Sequence, residues 1–189
     1  MAHYPGAGVG GHCIPVDPYY LIEYAKQNGF NHKFLAVARE INNAMPQFVI
    51  DQLKESFLDT GKKIEDSKVT VLGLSYKANV GDVRESPAIE IIKLLRKNHM
   101  QVAAYDPYVD TEEYAPKFHG SPKILIKNTL LHAVTGANAI IIATAHREFL
   151  SMDIQKIAEL NVRAIIDGRN CLHKDEVIQT GMIYKGIGR

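Results

Sequence analysis

Apolar positions change their rhythm at about residue 66. Before that point they recur three and four residues apart: Leu21, Ile22 and Ala25, then Phe34, Leu35, Val37, Ala38, Ile41, Ala44 and Met45, continued by Phe48, Val49, Leu53, Phe57 and Leu58. This spacing predicts two amphipathic helical stretches. The first opens at Asp17-Pro18, an N-cap residue followed by proline at the first helical position, and stops at Gly29. Pro46 either kinks one long helix or begins a new one. Gly61 with Lys62-Lys63 reads as a connector. Beyond Asp66, short β-branched runs at 69–74, 102–107, 139–144 and 164–167 alternate with helical patterns at 87–97, 129–136 and 152–160. Such alternation specifies parallel β-α-β units. The expected class is α/β, with a helical central segment (1–64) followed by a doubly wound, mainly parallel sheet (65–189). Residues 110–123 lack periodicity and read as a surface excursion, and the tail from Gly181 is expected to add an edge strand. Ligands of such sheets sit outside the carboxyl ends of the strands. That rule brings residues 74–84, Asp106-Pro107 and Asp167-Gly168-Arg169 onto one rim.

Composition narrows the partners. The 189 residues are 46% hydrophobic and 23% charged, within the range of an ordinary folded domain. Twenty-two Lys plus Arg against 21 Asp plus Glu leave a net charge of +1, without the field of a nucleic-acid binder or an anionic-membrane binder. Any anion site must therefore be local. Two cysteines, Cys13 and Cys171, in very different surroundings argue against a disulfide scaffold and for a reducing, cytoplasmic home. The longest apolar run, 137–145, is too short to span a membrane, and the first residues carry no secretory pattern. His99, His119, His132, His146 and His173 lack metal-ligand spacing, so no metal is expected.

Three groups of residues could carry chemistry. Residues 5–13 (Pro-Gly-Ala-Gly-Val-Gly-Gly-His-Cys) alternate glycines ahead of a thiol. Glycines let the backbone approach a ligand and aim N–H groups at it, and a thiol beside a helix start ionises readily. The plainer reading is that Cys13 packs as a small hydrophobe and the glycines only turn the chain. A Gly-x-Gly-x-x-Gly dinucleotide fingerprint requires a preceding strand, and four residues leave no room for one. Asp17 serves either as the helix cap or as a carboxylate that orients water beside Cys13. His12 is a weaker candidate for a base. The second group is Gly73-Leu-Ser-Tyr-Lys77 with Asn79, Asp82, Arg84, Glu85 and Ser86: a strand opening through a polar loop onto a helix, where Lys77 and Arg84 supply positive charge for an anion. Its alternative is a solvated loop ion-pair set, with Glu85-Ser86 capping the helix. The third is Arg169, placed to clamp a phosphate or carboxylate or else to lie on the surface; Cys171 after it is taken as structural.

Taken together, the strings at 5–21 (PGAGVGGHCIPVDPYYL) and 73–87 (GLSYKANVGDVRESP), with Asp167-Gly168-Arg169, resemble the UDP-glucose/GDP-mannose dehydrogenase family of nucleotide-sugar dehydrogenases. The match runs over the family's central helical part and its C-terminal, Rossmann-like nucleotide-sugar domain. The family's NAD-binding N-terminal domain lies outside it. Histidine before the cysteine is more like the branch acting on UDP-N-acetylhexosamines; Ala7 stands where the family often has proline. The resemblance implies that Cys13 is the nucleophile in an NAD-dependent oxidation of a sugar C6 hydroxyl to a carboxylate through a thiohemiacetal and a thioester, with Asp17 assisting the water. It implies that Tyr4, Pro5, Gly6, Ala7, Gly8, Val9 and Gly10 with Tyr76, Lys77 and Arg169 bind the UDP-sugar, and that Cys13 and Arg84 face NAD. It further implies a homodimer through the helical segment and no turnover by this chain alone. A non-catalytic UDP-binding module with a structural cysteine is the alternative.

Overall fold

A computed structural model describes residues 4–59, 65, 67–110 and 125–188. Two helices come first, α1 (Asp17–Gln27) and α2 (Lys33–Asp59). There follow β1 (Lys68–Leu72), α3 (Pro87–Lys97), β2 (Gln101–Tyr105), β3 (Leu125–Ile126), α4 (Leu130–Val134), β4 (Ala139–Ile142), α5 (Arg147–Leu150), α6 (Ile154–Glu159), β5 (Ala164–Asp167), α7 (Lys174–Gln179) and β6 (Ile183–Gly186). The six strands form one sheet in the order β3-β2-β1-β4-β5-β6, and all five pairings are parallel. This is the doubly wound, Rossmann-like α/β layout expected, with the strand after Gly181 at its edge.

Both sheet faces are buried, which is why the central strands read as unbroken apolar runs. Successive side chains point to opposite faces. In β4, Ala139 and Ile141 join Val69, Val71, Ile166 and the helices α2 and α3 on one side. Ile140 and Ile142 join Phe149, Ile157, Ile165 and Val177 on the other. Helix α3 fits its side because Ala88, Ile91, Ile92 and Leu95 recur at i, i+3, i+4 and i+7 and are buried. The Ser86 hydroxyl caps it by accepting from the Ala88 N–H at 3.3 Å, with Pro87 following at the first helical position.

Helix α2 is continuous through Pro46, which settles the open choice at that residue. Its two halves differ. Val49, Ile50, Leu53 and Phe57 are fully buried against the sheet, whereas Phe34, Val37 and Ile41 in the first half are exposed, Phe34 by 83%. One helix thus belongs by packing both to the sheet and to the helical segment. Helix α1 starts differently from the expectation: Val16 is the N-cap, Asp17 lies inside the first turn, and no side chain caps the helix. Asp17 is therefore not the cap. A turn at 13–17, in which the N–H groups of Val16 and Asp17 both donate to the Cys13 carbonyl, already closes the start of the helix.

The connector at 61–63 lies outside the described residues, as does nearly all of the 110–123 excursion. Two short helices, α5 and α7, and the strand β3 were not anticipated. No described helix is long and apolar enough to cross a membrane. Packing yields a paired expectation at neighbouring positions of α2. Phe57→Ala should destabilise the chain by about 3–5 kcal/mol and Leu58→Ala, on the exposed side, by less than about 0.5 kcal/mol, measured by urea denaturation.

Candidate functional site

The rim is built from the ends of β1, β2, β4 and β5. Gly73, immediately after β1, has φ +87°, and a Cβ there would lie 2.5 Å from the Thr144 Cβ. Only glycine lets the loop after β1 cross so close to the end of β4. Asp106, buried after β2, holds this loop: Oδ2 accepts from the N–H groups of Leu74 (2.7 Å) and Ser75 (2.9 Å) and from the Ser75 hydroxyl (2.6 Å), while Oδ1 accepts from the Tyr108 N–H (2.8 Å). His146 Nε2 faces the same Oδ2 at 3.0 Å. Burial disfavours the charged carboxylate, but donation from His146, Ser75 and Tyr108 outweighs it and holds Asp106 at about 2, below its ordinary 3.8.

Asp167 does the same work at the end of β5. Its oxygens accept from the N–H groups of Arg169 (3.0 Å), Cys171 (2.8 Å) and Leu172 (2.8 Å) and from the Tyr184 hydroxyl (3.1 Å). The Cys171 thiol points at Asp167 Oδ1 from 3.6 Å. Burial, and then the neighbouring carboxylate charge, push this thiol up to about 12. Cys171 is a packing residue with a hydrogen-bonded thiol, as expected.

Onto this rim folds the glycine collar. The Ala7 N–H donates to the Gly168 carbonyl (3.1 Å) and the Gly11 N–H to the Arg84 carbonyl (3.1 Å), while the Val9 N–H donates to Oδ1 of Asn42 on α2 (2.9 Å). Two glycines are there for close approach. A Cβ on Gly6 would meet an Arg169 guanidinium nitrogen at 2.7 Å, and one on Gly10 would meet the Glu85 carbonyl oxygen at 2.5 Å and the Tyr76 Cβ at 2.7 Å. Gly11 abuts the Tyr76 ring. Cys13 follows two residues later, its Cα within about 7 Å of that of Gly11 by chain geometry. It is exposed, which removes the reading of this thiol as a buried small hydrophobe.

The structure therefore gathers residues 6–11, Tyr76 and Arg169 at one place, with Cys13, Lys77 and Asp17 exposed beside them in the chain. Tyr4 and Pro5 are exposed at the start of the collar. Asp17 and Cys13 share one turn, the Asp17 N–H donating to the Cys13 carbonyl at 2.8 Å. Arg84 is 61% exposed and forked onto Asp82, with Nη2 to Oδ2 at 2.6 Å, which is the solvated ion pair weighed as its alternative role. That guanidinium is also the largest influence holding Asp82 below its ordinary value; the charge of His12 adds to it. A cleft of about 470 Å³ opens on the α2 side of the collar, lined by Gly8, Val9, Arg39, Asn42, Glu85 and Lys93 among others.

Sequence reasoning placed Asp106 on the rim but missed His146 beside it. Ser75, His146 and Asp106 superficially suggest a hydrolytic triad, but the geometry excludes it. Ser75 Oγ donates to Asp106, and the same His146 nitrogen, Nε2, faces both Ser75 Oγ (3.1 Å) and Asp106, so no relay across the ring exists. All three are buried. They are architecture.

Comparison with known proteins agrees with this layout. The pattern of the UDP-glucose/GDP-mannose dehydrogenase family, UDP binding domain, matches residues 70–174, and that of the family's central domain matches residues 1–44. The UDP-N-acetyl-D-mannosamine dehydrogenase of Pyrococcus horikoshii is 39% identical over 188 residues. The chain belongs to the UDP-glucose/GDP-mannose dehydrogenase family. That alignment covers 99% of this chain and 40% of the Pyrococcus protein, whose solved structure superposes with a TM-score of 0.84. The UDP-N-acetyl-D-glucosamine 6-dehydrogenase of Pseudomonas aeruginosa is 32% identical over 160 residues, 85% of this chain and 36% of that protein. An NDP-N-acetyl-D-galactosaminuronic acid dehydrogenase from Methanosarcina mazei, 31% identical, superposes with a TM-score of 0.87 over all of this chain and 40% of that one. The chain thus spans about two fifths of the family members it matches.

The buried carboxylate of the rim sets a pH dependence. Because Asp106 titrates lower in the folded chain than in the unfolded one, its ionised form contributes about 2 kcal/mol of stability above pH 4, lost as pH falls toward 2. Urea titrations of the unsubstituted chain and of Asp106→Asn should show a gap that is widest near neutrality and narrows between pH 4 and pH 2. A gap independent of pH would contradict this account.

Proposed function

We propose that this chain is the thiol-bearing and nucleotide-sugar-binding part of an NAD-dependent UDP-sugar 6-dehydrogenase acting on a UDP-N-acetylhexosamine. One observation carries the reading: the collar that presents Cys13 is fastened by its own backbone to the rim holding Tyr76 and Arg169. A nucleotide sugar whose diphosphate lies on Lys77 and Arg169 then has its sugar directed toward the collar, with residues 4–10 along its path. Charge-assisted contacts from a guanidinium and an ammonium suit a diphosphate. The names of the relatives from Pyrococcus and Pseudomonas support an N-acetylhexosamine as the sugar.

In this reading Cys13 Sγ, as thiolate, adds to the C6 carbonyl carbon of the bound sugar aldehyde, so that the aldehyde stays covalently held. Asp17, one turn along and carrying an uncapped carboxylate, holds the water that attacks C6 when the thioester is cleaved, taking up its proton while the thiolate leaves. NAD would supply the hydride acceptor for both oxidations. The described residues offer no dinucleotide cradle: the glycine turn after β1 opens on a loop thirteen residues long before α3, not directly on a helix N-terminus. No hydride step is assigned to these residues beyond the exposure of Cys13 and Arg84 toward solvent, and the chain alone does not turn over.

A homodimer through the helical segment belongs to the same proposal. Phe34, Val37 and Ile41, spaced three and four residues apart on α2, are exposed and form an apolar stripe that a second copy would cover. Sedimentation of the chain at micromolar concentration should give a dimer that Phe34→Glu converts to monomer. A monomeric unsubstituted chain would rule this out.

The alternative, a non-catalytic UDP-binding module, is separated by thiol chemistry. In the native chain near pH 8, iodoacetamide should alkylate Cys13 and spare Cys171, whose thiol stays protonated at that pH. Saturating UDP-N-acetylmannosamine should slow the alkylation of Cys13, and no NADH should form when NAD is added. An alkylation rate untouched by the nucleotide sugar would refute the proposed site, and sustained NADH formation would refute the division of labour.

A further inference from the structure

Lys77 and Tyr76 sit in a loop, and a loop needs something to hold it. The turn at 75–79 carries both residues and is tied down at each end. At its start, the Ser75 carbonyl accepts from the Thr144 hydroxyl, in addition to the bonds from Ser75 to Asp106. At its end stands Asn79, in the left-handed region at φ +62°, which asparagine adopts more readily than other non-glycine residues. Two bonds from the segment after β4 hold it there. The Asn79 N–H donates to His146 Nδ1 at 2.9 Å, and the Arg147 N–H donates to Asn79 Oδ1 at 3.1 Å. Tyr76, Lys77 and Ala78 are all that lie between the two anchored ends.

Resting on the reading of Lys77 and Tyr76 as nucleotide-binding residues, we propose that His146 is the positioning residue of this turn and that its Nδ1 acceptor sets the affinity for the nucleotide diphosphate. A backbone N–H can only donate, so Nδ1 carries no proton and the neutral ring bears it on Nε2. That tautomer is the one Asp106 selects, since Nε2 faces Oδ2 at 3.0 Å. Each side of the ring thus fixes the other. The ring itself is clamped, with Tyr108 at 5.0 Å and Phe149 at 5.3 Å between centroids, and it is fully buried. A rigid imidazole at the end of β4 therefore transmits the position of the sheet to a loop whose other ties run through Asp106, Thr144, the Arg147 N–H and, within the loop, the Tyr76 N–H to the Asp82 carbonyl. His146 touches no substrate position and has no catalytic role here.

Two substitutions divide the ring's functions. His146→Asn keeps an acceptor oxygen where Nδ1 stands, and His146→Gln keeps an N–H donor where Nε2 stands. Both lose the aromatic clamp, so the cost in packing is common to them. Amide hydrogen exchange at Asn79 and calorimetric titration with UDP, on the full 189-residue chain, read the outcome, with Lys77→Ala as reference. His146→Asn should keep Asn79 protected and bind UDP within about threefold of the unsubstituted chain, while His146→Gln should lose that protection and bind about tenfold more weakly at a similar Tm. UDP affinity that does not follow Asn79 protection across the two variants overturns the proposal. Should Lys77→Ala bind UDP as tightly as the unsubstituted chain, the assignment of the nucleotide site falls and this inference falls with it. Should Lys77→Ala bind weakly while His146→Gln binds normally, the positioning role alone fails.

Discussion

A carboxylate buried at the end of a strand must be surrounded by donors, or it costs several kcal/mol to keep charged. The candidate site rests on two instances of that constraint. Asp106 after β2 and Asp167 at the end of β5 are both buried, and each meets its requirement with N–H groups from the loops that follow β1, β2 and β5. The dependence runs both ways. The carboxylates cannot stay buried without those loops, and the loops, lacking regular ladders, have few other ways to satisfy their own donors. The positions of Tyr76 and Arg169 therefore follow from the positions of strand ends, which the packed sheet fixes.

The collar adds a second level. Its glycines are close-approach positions against Arg169, Tyr76 and Glu85, and its hydrogen bonds go to three separate elements: the end of β5, the loop after β1, and α2. A side chain at Gly10 would push the collar off Tyr76. Because α2 is buried against the sheet by its second half and bonded to the collar through Asn42 in its first, a tilt of the helical segment against the sheet would have to break both sets of contacts.

Much of this was legible in the sequence because the signals were long or chemically specific. The helix at 87–97 announces itself by Ser86-Pro87 and by Ile91, Ile92 and Leu95, and β5 by an apolar run closing on Asp167-Gly168. The rim rule for parallel sheets brought three distant segments together correctly. What escaped notice had little periodicity to show. Helix α5 is four residues long, little more than one helical turn, and β3 two, a single strand period, so neither lets a pattern repeat. Asp17 looked like a cap because Asp-Pro is a common helix opening; the chain starts its helix one residue earlier, off the turn at Cys13, which leaves the carboxylate uncapped. His146 gave no signal at all, since its partners lie 40 and 71 residues away and appear only once β1, β2 and β4 are side by side.

The two cysteines show how the same side chain is assigned opposite uses by its surroundings. Cys171 lies beside a buried carboxylate that it serves as a donor, and both burial and that negative charge oppose its ionisation. Cys13 is exposed in the turn that opens α1, its carbonyl accepting from the Val16 and Asp17 N–H groups. Reactivity requires a thiolate with an open approach, and inertness requires a thiol with a satisfied hydrogen bond. One sulfur is held by Asp167 at the end of β5 and kept protonated there, and the other is exposed in the turn that opens α1.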